Sequence, residues 1–377
     1  MERKKIVFIS GESELRGGGE IFLFDLVRGL KADYCCSCIC PGEGSLAAVM
    51  RAEGVQVFLS PTGWNRKWKA FIPNYLCLFH LSKLLKKSHP DLIYANAGHV
   101  CNLAVRLGKK LHIPVITHIH ALFTETRKDK YGFGRSNQLV ACSEAVYKLA
   151  IRYNPRVKVI YNGIHTQRFS PILRAIGSSI RSALNFSPEE FLIGFVGTID
   201  EKKGIFDFLE MAKIVSKEIP KARFIVAGEP KMGEEELLKK LKASVKAAGL
   251  AERFLLLGFV EKIEEVLAGL DVFVSASHFD AFRRVIVEAM SCGVPVVASN
   301  CDGSLEIIED GKNGFLFPTG DVDSMARAVI AINKNPKLAK MAVVQAGLRV
   351  ERDFAFAKMF AQIESVIYAE LNGDSSL

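Results

Sequence analysis

The chain has 377 residues, 49% of them hydrophobic, and a formal net charge of +9. This length predicts two domains, and the apolar content is sufficient for two hydrophobic cores. No run approaches the roughly 18 apolar residues of a membrane-spanning helix, and the short run Ile6–Ile9 is better interpreted as a strand than as a secretory signal, so we expect a cytoplasmic protein.

The charge is unevenly distributed between the two halves. Residues 1–185 hold 27 Lys and Arg against 12 Asp and Glu, a balance of +15, whereas the remaining residues have a balance of −6. A basic half indicates an anionic partner, either nucleic acid or the anionic cytoplasmic leaflet of a membrane. No helix-turn-helix, zinc-ligand spacing or RNP-like aromatic strand supports nucleic acid, so we favour the membrane.

The nine cysteines are an odd number, which with the absence of a signal indicates a reducing compartment. Four of them lie in the run Cys35–Cys40, where a strand is expected after a helix. A metal or redox site is the alternative, but metal-binding pairs usually lie two to four residues apart on a turn. We therefore interpret the run as a strand.

The first predicted strand is followed by three consecutive glycines, Gly17–Gly19, which open a helix that runs to about Leu30. Glycines at this place allow a ligand to approach the backbone closely and leave amides exposed. A plain turn is the alternative. Strands and helices continue to alternate through the first half, which predicts a parallel sheet with helices on both faces.

A later strand of this half ends at His118 and His120, which the strand period places on one face. Ligands of such sheets bind beyond the carboxyl ends of the strands, so a ligand contact is expected there; a structural histidine is the alternative. The stretch Thr62–Phe71 combines both tryptophans with three basic residues, which favours a membrane interface over a solvated loop.

In the second half, a strand at Phe191–Gly197 leads into a loop that carries Lys203. Another buried strand leads into a loop and then a helix from Arg284 to Ser291. Asp280 precedes this helix and Glu288 lies within it. Because a helix N-terminus attracts anions while carboxylates bind hydroxyls, the pattern predicts a ligand with both phosphate and hydroxyl groups, such as a nucleotide sugar.

The segment from Ser277 to Met290 resembles the E-x7-E element of the retaining family-4 glycosyltransferases of the GT-B fold, in the subgroup whose loop reads Glu-Pro-Phe-Gly-Arg. Asp280 stands for the first Glu, Ala281 for the Pro and Arg283 for the Gly. The segments that resemble other parts of the family are the glycine loop, the Asn162–Gly163–Ile164 connection, the Lys203 loop and residues 302–314.

The resemblance implies two Rossmann-like α/β domains whose parallel sheets face each other across a cleft, with a C-terminal helix that crosses back to the first domain. We place the first, acceptor-side domain at residues 1–165 plus the helix at 354–377. The nucleotide-sugar-binding domain is placed at residues 166–353.

The resemblance also implies roles for individual residues. His120, Asp280 and Lys203 are the catalytic candidates: His120 and Asp280 contact the transferred sugar, and Lys203 contacts the diphosphate. Glu288 holds the ribose. The further donor-binding candidates are Gly18, Gly19, Thr198, Gly258, Phe259, Phe282, Arg283 and Arg284. The family has an Arg where this chain has Thr198, and we hypothesise that Arg283 supplies the missing charge.

We therefore expect a retaining hexosyltransferase that moves sugar from a UDP- or GDP-sugar to a glycan or lipid-linked acceptor, with no cofactor or essential metal ion. Assembly of a cell-surface polysaccharide or lipopolysaccharide at the inner face of the membrane is the expected setting. The alternative is a nucleotide-sugar-binding protein with a decayed, non-catalytic site.

Overall fold

The computed structural model describes residues 3–62, 71–124, 126, 128–173, 181, 183–231 and 233–373. The chain divides into two compact units, the first formed by Met1–Asn162 with Ala357–Leu377 and the second by Gly163–Phe356. Of the predicted membrane stretch Thr62–Phe71, only Thr62 and the backbone of Phe71 are among the described residues.

The first unit is built on a parallel sheet that has seven strands among the described residues, in the order β3-β2-β1-β4-β5-β6-β7. Its strands are β1 (Lys5–Ile9), β2 (Cys35–Cys40), β3 (Gln56–Leu59), β4 (Leu92–Ala95), β5 (Val115–Ile119), β6 (Gln138–Ala141) and β7 (Val157–Val159). The helices that connect them are α1 (Gly18–Leu30), α2 (Ser45–Ala52), α3 (Phe71–Ser88), α4 (Cys101–Leu111) and α5 (Glu144–Ala150).

The central strands of this sheet are fully buried because helices cover both faces. Ile6 in β1 pairs with Cys36 in β2 on one side and with Leu92 in β4 on the other. The cysteine run is a strand, as predicted, and the Sγ atoms of Cys38 and Cys40 lie 3.8 Å apart on one face of it. The strand order reverses between β1 and β4, which makes their carboxyl ends the natural ligand position of this unit.

The second unit repeats the plan with a parallel sheet that has six strands among the described residues, in the order β10-β9-β8-β11-β12-β13. Its strands are β8 (Phe191–Val196), β9 (Ala222–Ala227), β10 (Phe254–Gly258), β11 (Val272–Ser275), β12 (Val296–Ser299) and β13 (Phe315–Phe317). The helices are α6 (Ile205–Glu218), α7 (Glu235–Ala247), α8 (Ile263–Gly269), α9 (Arg284–Ser291), α10 (Asp302–Ile307), α11 (Val322–Lys334) and α12 (Pro336–Arg349). Here the order reverses between β8 and β11.

The last helix, α13 (Phe356–Asn372), packs on the first unit after the chain has completed the second. The Phe360 ring lies directly against the backbone of Gly29 in α1, so closely that a side chain at Gly29 would displace it. Glu370 accepts a 2.5 Å hydrogen bond from Arg156. The predicted return of the C-terminal helix and the predicted pair of parallel-sheet α/β units are both confirmed.

None of the helices among the described residues is both long and apolar enough to cross a membrane.

Candidate functional site

The loop that carries Lys203 follows β8, and a single glycine fixes its path. Gly204 has φ +73°, and a Cβ atom there would overlap the carbonyl oxygen of Ala276 at the end of β11. Only glycine tolerates both the left-handed backbone and this close approach. The amide of His278 donates a 2.9 Å hydrogen bond to the carbonyl of Lys202. The Lys203 loop is thereby joined to the loop that carries Asp280.

The Asp280 loop connects β11 with α9, and the next strand and helix hold it in place. The hydroxyl of Ser299 in β12 donates to the carbonyl of Ser277. The amide of Gly303 in α10 donates to the carbonyl of Asp280 at 3.1 Å, and a Cβ atom at Gly303 would lie only 2.6 Å from the carbonyl oxygen of Ala281. A rigid backbone therefore presents the Asp280 carboxylate.

Asp280, Lys203 and Arg283 form one charged cluster at the carboxyl ends of β8 and β11. The Lys203 ammonium donates to Oδ2 of Asp280, and Nη1 of Arg283 lies 3.4 Å from the same oxygen. The side chain of Asp280 is 16% exposed and that of Arg283 is 5% exposed, whereas the side chain of Lys203 is 31% exposed. The cluster carries a net positive charge, and Lys203 is its most exposed member.

These two cations determine the ionisation of Asp280. Burial alone would raise the pKa of its carboxyl group, but the charges and hydrogen bonds of Lys203 and Arg283 outweigh burial and lower the pKa below its usual value. Asp280 is therefore a carboxylate at neutral pH. A carboxylate accepts hydrogen bonds, which is the property needed to hold sugar hydroxyls.

Arg283 points inward from the N-cap position of α9. Its guanidinium donates to the hydroxyl of Ser277 and to the carbonyl of Val196 at 3.3 Å, and lies 6.0 Å from the centre of the Phe195 ring. A Cβ atom on Gly197 would be 3.5 Å from its Nη2. The guanidinium thus reaches the end of β8, two residues before Thr198 in the sequence, and connects β8 with the Asp280 loop.

Glu288 lies one turn inside α9 and faces the helix start. The closest oxygen of its carboxylate is 3.6 Å from Nε of Arg284, and both side chains are nearly buried. The pair is an i, i+4 contact that also fixes the direction of both side chains. The structure therefore places Arg284 and Glu288 together, on the same loop and helix as Asp280.

The other predicted donor-binding residues fall into two groups. Gly258 has φ +71° and accepts a 2.7 Å hydrogen bond from the amide of Gly228, while the neighbouring Phe259 ring is 51% exposed at the sheet edge. Phe282 is buried instead, 5.6 Å from Phe354 in an edge-to-face contact. The structure therefore presents the Phe259 ring to solvent and uses Phe282 for packing.

Two residues that sequence reasoning did not select belong to this site. Ser277 binds Arg283 through its hydroxyl, and Phe279 exposes nearly half of its ring, with the Lys202 ammonium 5.8 Å from the ring centre. Their position between a buried strand and α9 was the available signal. The direction in which each side chain points could not be predicted from the sequence.

The first unit has its own cluster, at the point where the strand order reverses. The side-chain amide of Asn96, the residue after β4, donates to the carbonyl of Gly19 at 2.8 Å. Its Oδ1 lies 3.2 Å from Nε2 of His120, so this imidazole nitrogen is the donor. Gly18 and Gly19 form the start of α1. Asn96, which sequence reasoning missed, connects two predicted residues.

His118 lies behind His120, and their ring centres are 3.9 Å apart. It is fully buried and its Nδ1 is 2.8 Å from the hydroxyl of Tyr94. Burial, and secondarily the neighbouring His120, holds the pKa of His118 well below its usual value, so it is neutral. His118 is thus a packing partner, and His120 is the histidine at the strand end.

We predict that Lys203→Met lowers the free energy of unfolding by about 2 kcal/mol at pH 7, because it removes a partner of the buried Asp280 carboxylate. The pKa of Asp280 is lowered in the wild type, so its contribution is present above the pKa of the unfolded chain and is lost as the pH falls through the folded value. The deficit of the variant should therefore persist down to about pH 4 and shrink as the pH falls below that value.

Urea unfolding at several pH values measures this deficit. Lys202→Met, at the exposed neighbouring position, is the matched control and should change the free energy of unfolding by less than about 0.5 kcal/mol. A deficit of Lys203→Met that stays constant from pH 7 to well below pH 4 would contradict the assigned pairing.

Two family models match consecutive parts of the chain. The model described as Glycosyltransferase Family 4 matches residues 16–168, and the model described as Glycosyl transferases group 1 matches residues 178–347. The first match contains the glycine loop and His120. The second contains Lys203, Asp280 and Glu288.

Among curated proteins, an Escherichia coli UDP-Gal:alpha-D-GlcNAc-diphosphoundecaprenol alpha-1,3-galactosyltransferase is 25% identical over 319 residues, which cover 80% of each chain. The lipopolysaccharide core biosynthesis mannosyltransferase LpsB of Rhizobium meliloti is 30% identical over 212 residues, 55% of this chain and 59% of the relative.

Among solved structures, Anabaena HepE in complex with UDP and glucose superposes with a TM-score of 0.85 at 22% identity, covering 97% of this chain and 100% of the other. The fold is therefore that of the GT-B enzymes. With a family 4 domain followed by a group 1 domain on this fold, the protein is a glycosyltransferase.

Proposed function

We propose that this glycosyltransferase moves a hexose-type sugar from a UDP- or GDP-sugar to its acceptor with retention of configuration. The cluster of Lys203, Asp280 and Arg283 carries the proposal. It combines an ionised carboxylate with a surplus of positive charge at the carboxyl ends of β8 and β11, beside the start of α9. A ligand that offers both hydroxyls and a diphosphate satisfies both parts.

In the proposed transfer, the bond between C1 of the sugar and the diphosphate oxygen breaks while the acceptor oxygen bonds to C1 on the same face. The ammonium of Lys203, the most exposed side chain of the cluster, stabilises the negative charge that develops on the leaving diphosphate. Asp280 accepts hydrogen bonds from sugar hydroxyls. The leaving phosphate oxygen takes the proton of the acceptor hydroxyl, so the step requires no separate general base.

Further residues are proposed to hold the rest of the donor. Glu288 accepts from the ribose hydroxyls, and backbone atoms of Gly258 and Phe259 contact the base. Gly18, Gly19, Thr198 and Arg284 complete the proposed donor contacts. Because Lys203 and the arginines supply fixed positive charge, we propose that the transfer needs neither a cofactor nor an essential metal ion.

The proposed acceptor is a glycan or a lipid-linked glycan, with His120 close to the transferred sugar. The Escherichia coli relative, by its name, acts on a diphosphoundecaprenol-linked sugar, and LpsB acts in lipopolysaccharide core biosynthesis. A related role in cell-surface polysaccharide or lipopolysaccharide assembly, at the cytoplasmic face of the membrane, fits the basic first half of this chain.

The proposal predicts that one nucleotide family stabilises the protein. Saturating UDP or GDP, or the corresponding UDP- or GDP-sugars, should raise the melting temperature by about 5 °C. A ligand that binds only the folded state adds its binding free energy to the stability of that state. The shift should be the same with and without Mg²⁺. Glu288→Ala should abolish it by removing the ribose contact.

Glu264→Ala is the matched control, since Glu264 is similarly buried in the same unit and pairs with Arg168 at 2.9 Å. It should keep the nucleotide-dependent shift. No shift with any nucleotide, or an equal loss in both variants, would contradict the proposal.

A second prediction concerns the missing arginine at Thr198. If Arg283 supplies the charge, Arg283→Gly should weaken donor binding by about tenfold, and Arg283→Gly combined with Thr198→Arg should restore it to within about threefold. Titration calorimetry on the wild type, the single variants Arg283→Gly and Thr198→Arg, and the double variant measures the four affinities. It is performed below the unfolding midpoint of each protein, because Arg283 also binds Ser277. Effects of the two substitutions that simply add would refute compensation.

A further inference from the structure

The outer face of α3 exposes large apolar side chains. Leu76 and Phe79 are each 63% exposed, and Tyr75 beside them is 46% exposed. Positions 76 and 79 are one turn apart, so both project from one face of the helix. Burying either side chain would be favourable, because large apolar groups gain free energy when they leave water. This face therefore has the composition of a contact surface.

Basic residues follow the apolar ones in the C-terminal half of α3. Lys83, Lys86 and Lys87 follow at helical spacing, and all three are exposed. From the adjacent α4, the Lys110 ammonium lies 5.4 Å from the centre of the Phe79 ring. Apolar and basic side chains thus share one continuous surface, which we call the α3 face: Leu76, Phe79, Lys83, Lys86, Lys87 and Lys110.

The charged residues of α3 and α4 have one sign. They are Lys83, Lys86 and Lys87 in α3 and Arg106, Lys109 and Lys110 in α4, and the segment that joins the two helices contains one acidic residue, Asp91. Asp91 is already engaged, accepting hydrogen bonds from the Lys4 side chain at 2.9 Å and from the Lys5 amide at 2.8 Å. Neither α3 nor α4 contains a carboxylate. The partner of this face must therefore be both anionic and able to accept apolar side chains.

We propose that the α3 face docks onto a bilayer surface that contains anionic lipids. Leu76 and Phe79 enter the boundary between headgroups and acyl chains, while the lysines remain at the level of the lipid phosphates. Each lysine near such a surface adds to the attraction. The inference rests on the proposed function in one respect, namely that a lipid-linked acceptor places the substrate in the same membrane.

The direction of α3 supports this use. In a parallel α/β unit, a helix that follows a strand runs from the carboxyl edge of the sheet back to its amino edge. The apolar half of the α3 face is the N-terminal half, and so lies nearer the carboxyl edge, where Gly19 and His120 are found. Docking through this half brings that edge towards the headgroups that carry a lipid-linked acceptor.

The second unit provides a comparison surface. Helix α12 exposes Met341, Val344 and Leu348 at the same helical spacing and to a similar degree. Its charged residues are Lys337, Lys340 and Arg349, and Arg349 pairs with Glu309 and Asp353. Apolar exposure is therefore matched between the two helices, whereas α12 has two lysines where the α3 face has four.

Co-sedimentation of the full chain with liposomes tests the proposal without donor or acceptor. Vesicles of phosphatidylcholine alone are compared with vesicles that contain about one third phosphatidylglycerol. The wild type should bind the anionic vesicles, and less strongly as salt is raised. Both Leu76→Ser/Phe79→Ser and Lys83→Gln/Lys86→Gln/Lys87→Gln should weaken this binding by about tenfold or more.

The control Met341→Ser/Val344→Ser should bind as the wild type does. The proposal is overturned if the wild type does not bind anionic vesicles, or if the control loses as much binding as the α3 variants. It is also overturned if only the lysine variant loses binding, which would indicate attraction to any polyanion.

A nucleotide-induced melting shift that persists in Leu76→Ser/Phe79→Ser shows that the fold and donor site are intact. Failure of docking and failure of donor binding are therefore distinguishable.

Discussion

The second unit depends on a largely buried carboxylate held between two cations. Asp280 would be costly to ionise in its surroundings, and Lys203 and Arg283 make its charged form the stable one. Lys203 and Asp280 are 77 residues apart in the sequence, yet the strands that they follow are neighbours in the sheet. The glycine at position 204 is what lets the two loops approach, because no side chain fits between it and Ala276. Charge pairing and backbone geometry thus support each other.

Much of this arrangement could be predicted from the sequence, for a physical reason. Alternating strands and helices imply a parallel sheet, and a parallel sheet gathers the residues after each strand at one edge. That rule is sufficient to bring Lys203 towards Asp280 and Gly19 towards His120. The rule fixes which loops meet, but the direction of a side chain depends on its packing. The inward turn of Arg283, the burial of Phe282 and the bridging role of Asn96 therefore emerged only from the structure.

The exposed side of α3 likewise could not be predicted from the sequence. The sequence of α3 is apolar on nearly every side apart from its lysines, so periodicity does not distinguish the buried side from the exposed one. The charge balance of the first half already indicated an anionic partner, and the structure adds the apolar residues that accompany the charge. The predicted membrane stretch centred on the two tryptophans stays a prediction, because it falls largely outside the described residues.

We propose that the Asp280 cluster takes part in sugar transfer rather than only binding a nucleotide. The most direct measurement is the rate at which radiolabelled sugar passes from its nucleotide donor into an isolated membrane lipid fraction, for the wild type and Asp280→Asn. We expect that the wild type forms a lipid-soluble product and that the variant, with its melting temperature recorded alongside, is slower by about 100-fold or more. Equal rates in the two proteins, or nucleotide binding without any product, would contradict it and favour a decayed site.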